Sequence, residues 1–209
     1  MENSRRRIYK TLTNAQRDLV LSKSIEVAND INADKGNRII ACIIGLMLTM
    51  GMRLAEIISL LVNSLESQFC EELNRNGYYL KYTSSNGNVR ELYCYEISVM
   101  FFRIAKDIHD ADNRVSSDSH LFVIYNTRTH GAAWFSAALF EHYYHKFHAQ
   151  YLIELADDSG YSIMPTAHQY RQTYLRSQLE FQQKRYRGKM TTFEVELDDF
   201  EKKVFCENK

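Results

Sequence analysis

The sequence predicts a mostly α-helical α+β fold with a small antiparallel β element. Three observations carry this. Pro165 is the only proline in 209 residues, so long helices run without breakers. Apolar residues recur at helical spacing in most of the chain. Residues 78–95 depart from that period: Tyr78, Leu80 and Tyr82 alternate with Tyr79, Lys81 and Thr83, and Asn86-Gly87 then precedes a second aromatic-rich run, Val89–Tyr95. Asn-Gly between two such runs is a strong hairpin signal.

The elements follow in order. A first helix is expected over 13–33, with Thr13 and Gln16 in capping-box positions and Leu19, Val20, Ile25 and Val27 on its apolar faces. A polar break, Asn32–Asn37, leads into a second helix over 38–50, closed by Gly51 as a C-terminal glycine. A third begins near Arg53, where Leu54, Ile57, Ile58 and Leu61 form a stripe and Arg53, Glu56 and Ser59 lie off it. After the hairpin come a helix over 97–109, a short strand at Leu121–Tyr125, a helix over 132–155, and one over 167–186 following Pro165. A last helix near 192–205 opens on Thr191-x-x-Glu194 and carries Phe193, Leu197, Phe200 and Val204 on one face. Length and composition fit one domain over 1–209, with a basic segment at 1–12 and an acidic amphipathic helix at 190–209.

Hydrophobic residues are 45% and charged residues 25% of the chain, which excludes wholesale disorder. Formal net charge is zero, yet Lys184, Arg185, Arg187 and Lys189 cluster as a candidate DNA-phosphate patch, and acids dominate beyond residue 190. Cys42, Cys70, Cys94 and Cys206 stand far apart, with no CxxC, so reduced thiols are expected rather than disulfides or zinc. The apolar run Ile39–Met52 is too short and too interrupted to span a bilayer and reads as a core helix. A cytoplasmic protein without membrane attachment is expected, nucleoid-associated if bacterial. His142, His145 and His148 repeat every third residue, but i and i+6 diverge and aromatic residues compete for the buried face. A solvated histidine face, not a metal site, is expected there.

Two segments carry the functional signal: Thr49-Met50-Gly51-Met52-Arg53-Leu54-Ala55-Glu56-Ile57-Ile58-Ser59-Leu60 and Pro165-Thr166-Ala167-His168-Gln169-Tyr170-Arg171-Gln172-Thr173. With Lys81 on the hairpin between them, this order resembles the catalytic domain of the tyrosine recombinases, which read T-G-x-R-x-x-E-x-x-x-L, a hairpin lysine, then H-x-x-R-x-T. Arg53, Glu56 and Leu60 match the first box, Lys81 the hairpin, and His168, Arg171 and Thr173 the last. His120-Leu121-Phe122 is similar to the family's L-F segment. The resemblance covers roughly residues 13–180.

It implies duplex DNA as partner, strand breaking and rejoining in DNA recombination or integration, a place on a mobile element, and no cofactor or metal. Arg53 and Arg171 are then the candidate phosphate clamps, because guanidinium forks bind non-bridging oxygens and stay protonated. Lys81 is the candidate proton donor to the leaving 5′ oxygen. His168 hydrogen-bonds the phosphate or takes the nucleophile's proton, and Glu56 gives structural support. The sequence departs from the family after Arg171. No second histidine or tryptophan follows, and the only later tyrosines are Tyr174, expected in the core, and Tyr186, an early-placed candidate nucleophile. Two alternatives therefore stand beside the recombinase: an inactive or truncated homologue that binds DNA as a regulator, and a helical interaction module without DNA. The resemblance also points to a homo-oligomer through the C-terminal helix.

Overall fold

Apolar side chains at helical spacing along Lys35–Met50 create one element that must be covered on every side. This helix, α2, is the hub of the fold: from Ile39 to Met50 every residue is buried. The computed structural model describes residues 11–70, 75–84, 87–111, 119–126 and 131–187. Around α2 pack α1 (Asn14–Asn29), α4 (Glu96–Asp110), α5 (Ala137–Tyr151) and α6 (Ala167–Arg187), while the short α3 (Leu54–Ile58) follows α2 directly. The α+β class is as the sequence predicts.

Local chemistry sets the boundaries. Thr13 caps α1 through the expected box, its Oγ1 accepting from Gln16 N at 3.2 Å and Gln16 Oε1 accepting from Thr13 N at 2.8 Å. The expected break at 32–37 is shorter in fact, because Asp34 accepts from Gly36 N and Asn37 N and starts α2 at Lys35. Gly51 closes α2 at φ +66°. Thr166 and Gln169 form a further capping box that starts α6, with Thr166 N donating to Gln169 Oε1 at 2.9 Å.

The hairpin is part of a three-stranded antiparallel sheet, β1 (Leu65–Cys70), β2 (Arg75–Thr83) and β3 (Val89–Cys94), in the order β1-β2-β3. The sequence pattern missed β1. It also read 121–125 as one strand, whereas β4 (Val123–Asn126) pairs antiparallel with β5 (Gly131–Trp134), so α5 starts at Ala137 rather than 132. Leu121 and Phe122 are buried, and Leu121 N donates to Leu60 O at 2.7 Å, tying this segment to the end of α3.

Other expectations resolve simply. Leu61 lies beyond α3 and is 40% exposed, so the predicted stripe ends at Ile58. Tyr174 is in the core, as expected. His142 and His145 are exposed, while His148 Nε2 bonds Ile163 O at 2.7 Å. Cys42 and Cys94 are buried free thiols, each pushed up to about 12 by burial. Among the described residues no helix is long and apolar enough to cross a membrane. The basic segment 1–10 and the tail 188–209, with the expected last helix and its proposed oligomer contact, lie outside the described residues.

Candidate phosphate-binding site

Arg53 stands where α2 has just turned. The left-handed Gly51 ends α2, and the ring of Tyr174 on α6 packs over it so closely that a Cβ there would sit 2.3 Å from Tyr174 Cδ1. This contact brings α6, with its histidine and arginine, to the start of α3. Thr173 fixes the other flank of α6: its hydroxyl donates to Gln169 O at 2.7 Å and accepts from Leu12 N at 3.0 Å.

Glu56 lies off the predicted stripe by spacing, yet it is buried, at 6% exposure. Its Oε2 accepts from Arg53 N at 2.8 Å and its Oε1 from Arg53 Nη1 at 3.3 Å. One carboxylate thus caps α3 and orients the Arg53 side chain. An exposed helix pair would do neither.

Arg171 is buried, at 9% exposure, and its Nε has no hydrogen-bond partner within the protein. Burial first, then the neighbouring Arg53 guanidinium, pull Arg171 below the usual arginine range, while Glu56 and Tyr82 oppose this. A buried guanidinium with an orphan donor, beside a second guanidinium, is costly unless an anion completes it. Both arginines line a cleft of about 490 Å³, together with Glu56, Lys81, Tyr82, Arg90 and Glu91.

Among the residues the sequence proposes, Arg53, Glu56, Lys81 and Arg171 therefore share one cleft, although more than a hundred positions separate the first arginine from the second. His168 lies one turn before Arg171 on α6 and is largely exposed. Partial burial first, then Arg171 and Arg53, hold its imidazole below the ordinary 6.5, so the neutral form prevails at pH 7. The hairpin lysine, Lys81, is ion-paired. Its ammonium donates to Glu66 Oε2 at 2.5 Å and lies 3.9 Å from Glu91 Oε1. α6 continues through Arg187, but the side chains of Lys184, Arg185, Tyr186 and Arg187 lie outside the described residues, as does Lys189 entirely.

Sequence reasoning missed Tyr82 and Arg90. Burial first, then Glu56, raise the Tyr82 phenol; Arg90, which hydrogen-bonds it, and Arg53 oppose this. The signal was available in the hairpin itself: a turn centred near 86 places Arg90 opposite Tyr82.

No protein-family model and no curated protein matches the sequence. Solved structures do. The structure of the XerH site-specific recombinase bound to its difH substrate, in a pre-cleavage complex, is 15% identical with a TM-score of 0.54, over 84% of this chain and 43% of that chain. The post-cleavage complex of XerH with palindromic difH is 13% identical with a TM-score of 0.55, over the same shares. XerA recombinase is 14% identical with a TM-score of 0.52, over 88% of this chain and 56% of that one. This chain thus spans about half the length of those proteins, 43% of XerH and 56% of XerA. At this identity the likeness is one of fold: the α+β fold of this chain resembles that of tyrosine recombinase catalytic domains.

Proposed function

We propose that this chain binds duplex DNA and holds one backbone phosphate between Arg53 and Arg171, as the phosphate-binding part of a site-specific strand-transfer reaction. The observation that supports this most is Arg171, a buried guanidinium with an unpartnered Nε in a cleft that a second arginine also lines. A phosphodiester oxygen supplies the acceptor such a group lacks. In the reaction a tyrosine oxygen bonds to phosphorus and the bond from phosphorus to the 5′ oxygen breaks. The arginines balance the charge gained by the non-bridging oxygens. Neutral His168 is in the right state to accept the tyrosine's proton. The 5′ oxygen takes a proton from an acid, the role proposed for Lys81 once it leaves Glu66.

The nucleophile is the open part. Tyr82 lines the cleft, but burial and then the Glu56 carboxylate raise its phenol, which makes it a poor one. Tyr186, or a tyrosine of another chain, is the candidate source. The ion-paired Lys81 and the raised Tyr82 phenol favour a second reading, a DNA-binding homologue that does not cut.

Fluorescence anisotropy with a labelled duplex tests the binding claim. Arg171→Ala and Arg53→Ala should each weaken binding about tenfold at low salt and flatten its salt dependence. Unchanged affinity in both would reject the cleft as the phosphate site. A suicide duplex then separates the two readings: an adduct at Tyr186 identifies an active enzyme, and its absence with intact binding identifies a regulator.

A further inference from the structure

β1, the strand that the sequence pattern missed, carries Glu66 and Gln68 two positions apart, so both project from one face of the sheet. The ladder sets Glu66 opposite Tyr79 and Lys81 opposite Glu91, which brings Lys81 between two carboxylates. Its Nζ donates to Glu66 Oε2 at 2.5 Å and lies 3.9 Å from Glu91 Oε1. Gln68 ties the two acids together: its Nε2 donates to Glu91 Oε1 at 2.8 Å and reaches Glu66 Oε2 at 3.5 Å. Lys81 and Glu91 line the cleft with Arg53 and Arg171, whereas Glu66 and Gln68 lie beyond its lining. A lysine of the cleft is thus anchored to a carboxylate outside it.

We infer that Glu66 is a latch on this cleft: it holds the Lys81 ammonium until a phosphate gripped by Arg53 and Arg171 displaces the carboxylate, and Gln68 and Glu91 shape the seat. The inference rests on the proposed phosphate cleft and names a residue that regulates it. Three cations facing an empty cleft repel one another, and a carboxylate that takes one of them lowers the resting cost. The side chains of Lys81 and Glu66 are 42% and 44% exposed, so the pair is weak enough to exchange its carboxylate for a phosphate oxygen. The bond also keeps the lysine protonated: the hydrogen bond to Glu66 raises Lys81, and that from Lys81 lowers Glu66. On release the ammonium therefore reaches the cleft with its charge intact. An anion that the arginines do not hold must break the same pair without their help.

The test uses inorganic phosphate as probe, titrated into the full chain and followed by NMR on the Lys81 Cε resonance. Glu66→Gln should tighten phosphate binding about threefold, the scale of an exposed ion pair. Loss of one negative charge near the cleft would act in the same direction, so the substitution is repeated in a Lys81→Met background. A latch acts only through the lysine: the gain should vanish there, leaving the double variant and Lys81→Met with equal affinity. In the wild type, saturating phosphate should move the Lys81 Cε resonance and raise the Glu66 carboxyl midpoint toward the ordinary carboxylate range, changes that a merely structural pair would not show. An equal gain in both backgrounds, or none in either, overturns the latch. If Arg53→Ala and Arg171→Ala still lose phosphate in that case, the cleft stands and the latch alone falls. If the folded wild-type chain binds no phosphate and no duplex, the cleft reading falls and the latch falls with it.

Discussion

Replacing Glu56 by alanine separates two ways in which the cleft could work. Glu56 accepts the N–H of Arg53 at the start of α3 and one N–H of its guanidinium. Loss of the cap costs about 1 kcal/mol. The charge-assisted bond to the guanidinium adds about 1 kcal/mol, below the usual value for such bonds because the Arg53 side chain is 38% exposed. The expected destabilisation is therefore about 2 kcal/mol, which at an m-value near 2 kcal/mol/M moves the urea midpoint down by about 1 M. Glu56→Gln keeps an oxygen for the backbone N–H and should cost about half as much. Binding moves against simple electrostatics. Four cations (Arg53, Lys81, Arg90 and Arg171) and two carboxylates (Glu56 and Glu91) line the cleft, so Glu56→Ala raises the cationic excess from two to three. If net charge governed affinity, duplex DNA would bind tighter. If orientation of Arg53 governs it, binding weakens by about threefold to tenfold, and that is the expectation. Urea unfolding by circular dichroism and anisotropy with a labelled duplex measure the two effects. A variant as stable as the wild type that binds DNA more tightly would refute the role given to Glu56.

Two further predictions follow from the same region. Because the folded-state pKa of His168 lies below 6.5, the stability tied to its neutral form is complete above pH 6.5 and is lost as the pH falls through the lower folded value. His168→Gln should therefore flatten the loss of stability on mild acidification, and bound phosphate should raise the histidine's titration midpoint in NMR; a midpoint above 6.5 in the free protein would contradict this. Gly51→Ala places a Cβ at φ +66° and 2.3 Å from the Tyr174 ring, so it should cost about 2 kcal/mol or more and weaken DNA binding by displacing Arg53, read by urea midpoint and anisotropy.

Local patterning determined much of this protein in advance. The run Ile39–Met50 is apolar on all sides, and only burial on all sides accommodates it. Thr13 with Gln16, and Gly51 after Met50, mark helix ends because a side-chain oxygen or a left-handed residue acts on backbone groups within one turn. The alternation around Asn86-Gly87 carried the hairpin for the same reason. What only the tertiary structure decided depends on partners distant in sequence. β1 and β5 have no strong period of their own and exist by pairing with β2 and β4. Glu56 looked exposed by helical spacing, but α3 is too short for spacing to define its faces, and the Arg53 guanidinium draws the carboxylate inward. Motif order placed Arg53 and Arg171 as candidates for one site, whereas packing of Tyr174 on Gly51 is what brings their helices together. The hairpin cations show the division most clearly: the motif names Lys81, but only the folded sheet shows that its ammonium meets Glu66 on the neighbouring strand and that Arg90 lines the same cleft.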